Sequence, residues 1–330
     1  MTSMTLINML QRLHLRLVEG TLSERGRLRT LYVESARNPT FDEHLDYLKK
    51  NDEESREGYG SRVRAVFVLG ESGAGKTNMV VHHLMRRPEF QPYRDKDDRL
   101  VRPLLAIEAP ASHCSTKSLA MALLEQLGIP TRQRLSEYKL YNVLYRQLKA
   151  QGVRYILIDE MHHVGHGAKS ATIAKVQDVL KSLLQIDDHP IHMILVGTPP
   201  LATFLEGDQQ LANRSRVMRL PNLNPKKDRP FVDRVIAEFV NTAGCTIGWK
   251  EADNVELRLV HAAKHCLGTL TEILTEACLF AKDNGRAEVT AGDLARVYLM
   301  RSGCLKRDNI FTAQNWKLID PSSAVSDLRK

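Results

Sequence analysis

The chain has no CxxC pair. Its five cysteines, Cys114, Cys245, Cys266, Cys278 and Cys304, lie far apart. An odd, dispersed set argues against a disulfide framework and suits reduced thiols in a cytosol. Long hydrophobic runs are missing too. No apolar stretch is long enough to cross a bilayer, which argues against a helical membrane span. The segment from Met1 to Val18 is amphipathic, with Arg12, His14 and Arg16 inside it. It therefore lacks the continuous apolar core of a secretory signal. A cytoplasmic chain with no membrane partner is the expectation. There is no internal repeat and no low-complexity tract.

What is present is a chain of 330 residues, 43% hydrophobic and 26% charged. That is enough for two domains, or for one large α/β domain with an appendage. The net charge of +8 favours a polyanionic partner only once the cations are located on a surface.

One stretch organises the rest. Gly70, Glu71, Ser72, Gly73, Ala74, Gly75, Lys76 and Thr77 fulfil G-x-x-x-x-G-K-[ST], the phosphate-binding loop of nucleoside-triphosphatases. Val63 to Leu69 reads as a buried strand feeding the loop, and Asn78 to Met85 as the helix leaving it. Glycines let backbone N–H groups close around phosphate oxygens, and the helix N-terminus adds partial positive charge. Lys76 would reach the β- and γ-phosphates of ATP, and Thr77 would hold Mg²⁺. The competing reading is an ordinary glycine-rich strand-to-helix turn.

A second signature is Arg154 to Glu160, in which Ile156, Leu157 and Ile158 lead into Asp159 and Glu160. A buried parallel strand would end on these carboxylates, where ligand sites of α/β proteins lie. Asp159 would help hold Mg²⁺, and Glu160 would orient the attacking water. His162, His163 and His166 follow, without a Cys or carboxylate set to complete a metal site. A third strand, Ile191 to Thr198, ends on Thr198, which would sit between the carboxylates and the γ-phosphate.

The remainder divides simply. Residues 1–60 read as a helical extension, with one helix at Met1 to Gly20, another after Pro39 to Lys50, and a loop from Asn51 to Ser61. Residues 61–222 read as the α/β core. Within it, 86–102 reads as a polar loop, 103–108 as a strand, 118–128 and 136–151 as helices, and 208–219 as an arginine-bearing segment. Residues 223–300 read as a small all-helical domain punctuated by Gly244, Gly268 and Gly285, with Thr290 as a helix cap. Residues 301–330 read as a loosely ordered tail whose Phe311 and Trp316 offer a docking segment.

This order of motifs resembles the AAA+ ATPases, and within them the TniB/TnsC transposition regulators, relatives of the phage Mu B protein. The residues carrying the resemblance are GESGAGKT at 70–77, ILIDEMHHV at 156–164, ILVGTPPL at 194–201, QLANRSRV at 210–217 and GTLTEILTEA at 268–277. The resemblance implies an α/β P-loop fold with a C-terminal helical lid. It implies ATP bound with Mg²⁺ between neighbouring subunits, and homo-oligomers (rings or helical filaments) on double-stranded DNA. It also implies a link between a target-selector protein and a transposase. Catalytic roles carry over to Lys76, Glu160 and Thr198, and an arginine finger to Arg214 or Arg216. Nucleotide contacts carry over to 70–77 with Asn78 and Asp159. DNA contacts carry over to two loops, through His113, Thr116, Lys117, Thr131, Arg132 and Arg134. One departure stands out: Thr269, Leu270 and Thr271 occupy the start of the lid helix, where many AAA+ proteins carry an arginine. A replication-initiator or helicase-loader ATPase is the main alternative, and a non-catalytic nucleotide switch the third.

Overall fold

The computed structural model describes residues 20, 22–111, 114–131, 135–164, 170–186 and 188–322. The helix expected at Met1 to Gly20 falls almost wholly outside them. The described residues form two compact units, the first built from Ala36–Gly70 and Lys76–Leu220, the second from those up to Ser35, Glu71–Gly75 and those from Pro221 onward. The first described helix, α1 (Glu24–Thr30), belongs to the second unit.

In the first unit α2 (Arg37–Arg56) precedes β1 (Ala65–Leu69) and α3 (Lys76–Arg86). A short antiparallel hairpin, β2 (Tyr93–Arg94) with β3 (Leu100–Val101), leads to β4 (Leu104–Glu108). Then come α4 (Thr116–Gln126), α5 (Glu137–Ala150), β5 (Tyr155–Asp159), α6 (Ser170–Leu183) and β6 (His192–Gly197). Two short helices, α7 (Pro200–Glu206) and α8 (Gln209–Ala212), lead into β7 (Ser215–Arg219). Five strands make one parallel sheet in the order β4-β5-β6-β1-β7. The sequences AVFVL, YILID and HMILVG of β1, β5 and β6 are buried at every position. That is the pattern of strands covered on both faces.

Three expectations change. Helix α2 runs past Lys50 because Asn51 and Asp52 are anchored rather than solvated. The Asn51 amide donates to the carbonyls of Ser61 (3.2 Å) and Val63 (2.8 Å), and the buried Asp52 carboxylate accepts from Arg56 and from Arg154 (3.3 Å). The polar stretch 86–102 contains the hairpin. The arginine-bearing segment contains β7, whose sequence SRVMR buries only Met218, because an edge strand pairs with a neighbour on one side only.

The second unit holds α9 (Arg229–Thr242), α10 (Val255–Ala262), α11 (Leu267–Asp283) and α12 (Ala291–Ser302). A two-residue parallel pair joins β8 (Thr246–Ile247) to β9 (Glu288–Val289). Thr290 caps α12 as expected: its hydroxyl accepts from the Asp293 N–H at 3.3 Å, and Asp293 accepts the Thr290 N–H at 2.8 Å. Leu28 of α1 is buried in the same core as Val235, Phe239 and Leu274. The segment after α12 is not loose. Ile310, Phe311 and Trp316 are buried in that core. The Arg258 guanidinium donates to the carbonyls of Ile310 and Ala313, and the His261 ring to that of Ile319. Trp316 thus packs inward, under Arg258. Among the described residues no helix is long and apolar enough to cross a membrane.

Candidate nucleotide site

The sheet order sets the site. β6 lies between β1 and β5, so the carboxyl ends of three adjacent strands meet, with Leu69 beside Gly197 and Ile158 beside Leu195. The chain leaves β1 as the glycine loop, β6 as Thr198 and β5 as Glu160. This is the end of a parallel sheet at which ligands bind. The end is laced by backbone: Gly70 N–H donates to the Gly197 carbonyl (3.2 Å) and Leu220 N–H to that of Leu69 (2.7 Å).

In the loop, Gly73 and Gly75 take φ of +77° and +84°, a region that other residues enter only with strain. The Ala74 N–H closes the turn on the Glu71 carbonyl at 3.0 Å. Glu71 and Ser72 are exposed, as is Asn78 in the first turn of α3. Lys76 is 8% exposed, and its ammonium donates to the Gly70 carbonyl at 2.9 Å. That contact folds the side chain back along the loop it would serve.

Asp159 is buried, and its carboxylate accepts from the Thr77 hydroxyl at 2.5 Å and from the Glu160 N–H at 2.7 Å. Burial raises the Asp159 pKa above the usual carboxylate range, and these two hydrogen bonds pull against it. Glu160 has φ +55°. A glutamate in the left-handed region is uncommon and is held there by its surroundings. Here the Glu160 carbonyl accepts from His163 N–H at 3.0 Å and its own N–H is bound by Asp159. The turn sends its side chain off the line of β5. Thr198 is half-buried, and its carbonyl accepts the Leu201 N–H at the start of α7. The Thr77 hydroxyl and the Asp159 carboxylate form a hard oxygen pair of the kind that suits Mg²⁺.

The two candidate arginines differ. Arg216 lies within β7, and its guanidinium stacks 3.4 Å above the ring of Tyr47 in α2. Arg214 precedes β7 and donates to the Gln210 carbonyl at 3.1 Å. Its own carbonyl accepts from the N–H groups of Arg64 and Ala65. Since β7 and β1 run parallel with Ser215 beside Ala65, Arg214 sits at the end of β1 opposite the loop. Five residues at about 3.3 Å each put about 16 Å between them. Tyr47 carried no signal in the sequence.

Among the DNA-contact candidates, Thr116 needs correction. It opens α4 with 5% exposure, and its carbonyl accepts the Tyr141 hydroxyl, so its side chain does not face solvent. Lys117 is the next residue of that helix. The Thr131 hydroxyl is exposed and donates to Glu125 at 3.0 Å. His113, Arg132 and Arg134 lie outside the described residues. Among the described residues no group of three His, Cys, Asp or Glu is arranged to hold a metal ion.

Comparison with known proteins bears on family and fold. A search among curated proteins returned no match. Among solved structures, Cdc6p from Pyrobaculum aerophilum is similar, at 16% identity over 81% of this chain and 68% of that one, with a TM-score of 0.53. The Aeropyrum pernix ORC2 protein, solved as ADPNP–ADP complexes, matches at 13% over 78% and 66%, with a TM-score of 0.56. The Aeropyrum pernix ORC1 protein in complex with DNA matches at 15% over 88% and 72%, with a TM-score of 0.58. At these identities the likeness is one of fold: a parallel sheet flanked by helices, followed by a helical region. The model of the family described as "Bacterial TniB protein" matches residues 34–225, more than half of the chain and all the strands of the large sheet, and the chain therefore belongs to the TniB family.

Proposed function

We propose that this protein is an ATP-dependent, sequence-nonspecific DNA-binding AAA+ regulator of transposition. In this reading it assembles on target DNA and links a target-selector protein to a transposase. The observation that carries the nucleotide half is the Thr77 hydroxyl, 2.5 Å from the buried Asp159 carboxylate, beside a fully matched phosphate loop. Bound Mg²⁺ would neutralise charge on the β- and γ-phosphates, and Thr77 and Asp159 are the residues that would hold it. Lys76 exchanges the Gly70 carbonyl for phosphate oxygens. Glu160, turned off the strand axis, orients water and accepts its proton. Thr198 hydrogen-bonds near the γ-phosphate. Arg214 is the finger of choice, because Arg216 is engaged by Tyr47 within its own chain. At about 16 Å from its own loop, Arg214 serves a neighbouring copy, so assembly and hydrolysis are coupled.

For DNA, Lys117 and Thr131, with His113, Arg132 and Arg134, supply contacts to phosphate rather than to base edges. Such binding is salt-sensitive and indifferent to sequence. That an ORC1 protein of the same fold was solved with DNA supports DNA as the partner. The likeness to Cdc6 and ORC proteins also motivates a second reading, a replication-initiator type ATPase. A neighbouring transposase gene favours the first reading and a neighbouring replicative helicase gene the second. The direct test is duplex binding in low salt with a non-hydrolysable ATP analogue. Binding that requires nucleotide and is lost in Lys76→Ala is expected. Binding unchanged in Lys76→Ala, or no binding at all, overturns the proposal.

A further inference from the structure

The start of α11 lacks the arginine that many AAA+ lids carry, yet it touches the phosphate loop directly. Within the second unit the Thr269 N–H donates to the Gly73 carbonyl at 3.0 Å. The Ala74 N–H of the same peptide unit donates to Glu71 at 3.0 Å. The 73–74 peptide is thus held at both ends, one of them by α11. The approach is as close as backbone allows. A Cβ added at Gly268 would lie 2.6 Å from the Gly73 oxygen and 3.0 Å from the Gly75 nitrogen. A Cβ added at Gly73 would lie 2.2 Å from the Thr269 hydroxyl. Backbone atoms cannot swing aside as a side-chain tip can, so residue 268 has to be glycine for this contact to exist. The Thr269 N–H is in the first turn of α11, where a helix leaves its N–H groups without partners of their own. The loop carbonyl supplies one.

We propose that Gly268 and Thr269 are positioning residues for the phosphate loop, acting through a backbone contact where an arginine side chain is absent. The contact fixes the 73–74 peptide plane, and with it the direction of the N–H groups on which a phosphate would sit. It also ties the placement of α11 to the shape of the loop, so that a nucleotide that reshapes the loop moves α11. The inference rests on the ATP-binding reading above.

The test uses the full chain and measures ATP and ADP affinity, turnover at saturating ATP, and the melting temperature without nucleotide. Thr269→Pro, in the first turn, removes the donor and turns the ring Cδ toward the Gly73 carbonyl, so that the contact can form neither as a hydrogen bond nor as a close approach. Thr269→Ala keeps the N–H and removes the hydroxyl. Gly268→Ala introduces the clash. Thr269→Pro and Gly268→Ala are expected to weaken ATP and ADP alike by about tenfold, the scale of one lost hydrogen bond. Their nucleotide-free melting should stay cooperative, and Thr269→Ala should bind like the parent. Parent-like affinity in Thr269→Pro overturns the inference, as does an equal loss in Thr269→Ala. Should Gly268→Ala fail to fold, the Thr269 pair decides alone. A parent protein that binds no nucleotide instead removes the ATP-binding reading, and this inference with it.

Discussion

At the scale of single residues, the left-handed backbone of Glu160 is the feature that sequence could not reveal. The pair Asp159–Glu160 was legible as a strand end. That its second member leaves the strand by a strained turn depends on the Asp159 carboxylate binding the Glu160 N–H and on His163 binding its carbonyl. Held this way, the Glu160 backbone has little freedom left. Glu160→Gln keeps the shape and removes the base proposed above. ATP affinity should therefore be nearly unchanged while turnover falls by about 10² or more, read as single-turnover rates against binding isotherms. The arginine pair separates similarly. Arg214→Ala should slow turnover by orders of magnitude, as loss of an arginine finger does, with little change in melting temperature. Arg216→Ala should cost about 0.5–2 kcal/mol of stability through the lost Tyr47 stack and slow turnover less. Melting curves beside steady-state ATPase assays decide it, and the reverse pattern would exchange the two roles.

At the scale of elements, the central strands were legible and the edge was not. β1, β5 and β6 announce themselves as unbroken apolar runs because both faces are covered. β7 is half-covered and charged, so its sequence reads as a polar segment until its pairing with β1 is seen. Nothing in the order of residues indicated that α2 would continue to Arg56. Its last turns are fixed by long-range partners, Arg154 and the carbonyls of Ser61 and Val63. His192, the first residue of β6, is wholly buried 4.0 Å from Asp52. Burial lowers its pKa from 6.5 to about 4, so at neutral pH the ring is uncharged and the close approach is not an ion pair. As pH falls below 6.5 the unfolded chain takes up this proton first, while the folded chain resists until about 4. Folding stability is therefore lost across that window, by up to about 3 kcal/mol. Urea melts of the parent and of His192→Leu between pH 7 and pH 4 test this. The variant should show a shallower decline, and parallel declines would rule His192 out as the cause.

At the scale of the whole molecule, the fold class was readable from motif order. The end of the helical part was not. Ile310 and Phe311 stand as an isolated pair and Trp316 alone, without a period that marks a helix or strand, yet all three are buried. Burying each is worth about 1.5–3 kcal/mol, and their sum rivals the stability of a typical domain. Removing residues 303–330 should therefore abolish cooperative melting of the second unit, or leave the protein insoluble. A truncated chain that melts like the parent would show that these contacts are dispensable.

The second unit is also discontinuous in sequence. Glu24 pairs with Lys282, and Arg25 with Asp283, across 258 residues. On a ribosome adding about 5–20 residues per second, α1 would wait about 10–50 s for those partners. Until Val235 and Phe239 of α9 emerge, which takes most of that interval, the apolar side of α1, with Leu28 at its centre, lacks the helices that cover it. The α/β unit can complete its sheet once β7 has emerged, whereas the helical unit has its whole core only once Trp316 has been added. A nascent-chain factor that shelters short apolar helices would have most to act on here, and truncated translation products would lack a folded second unit.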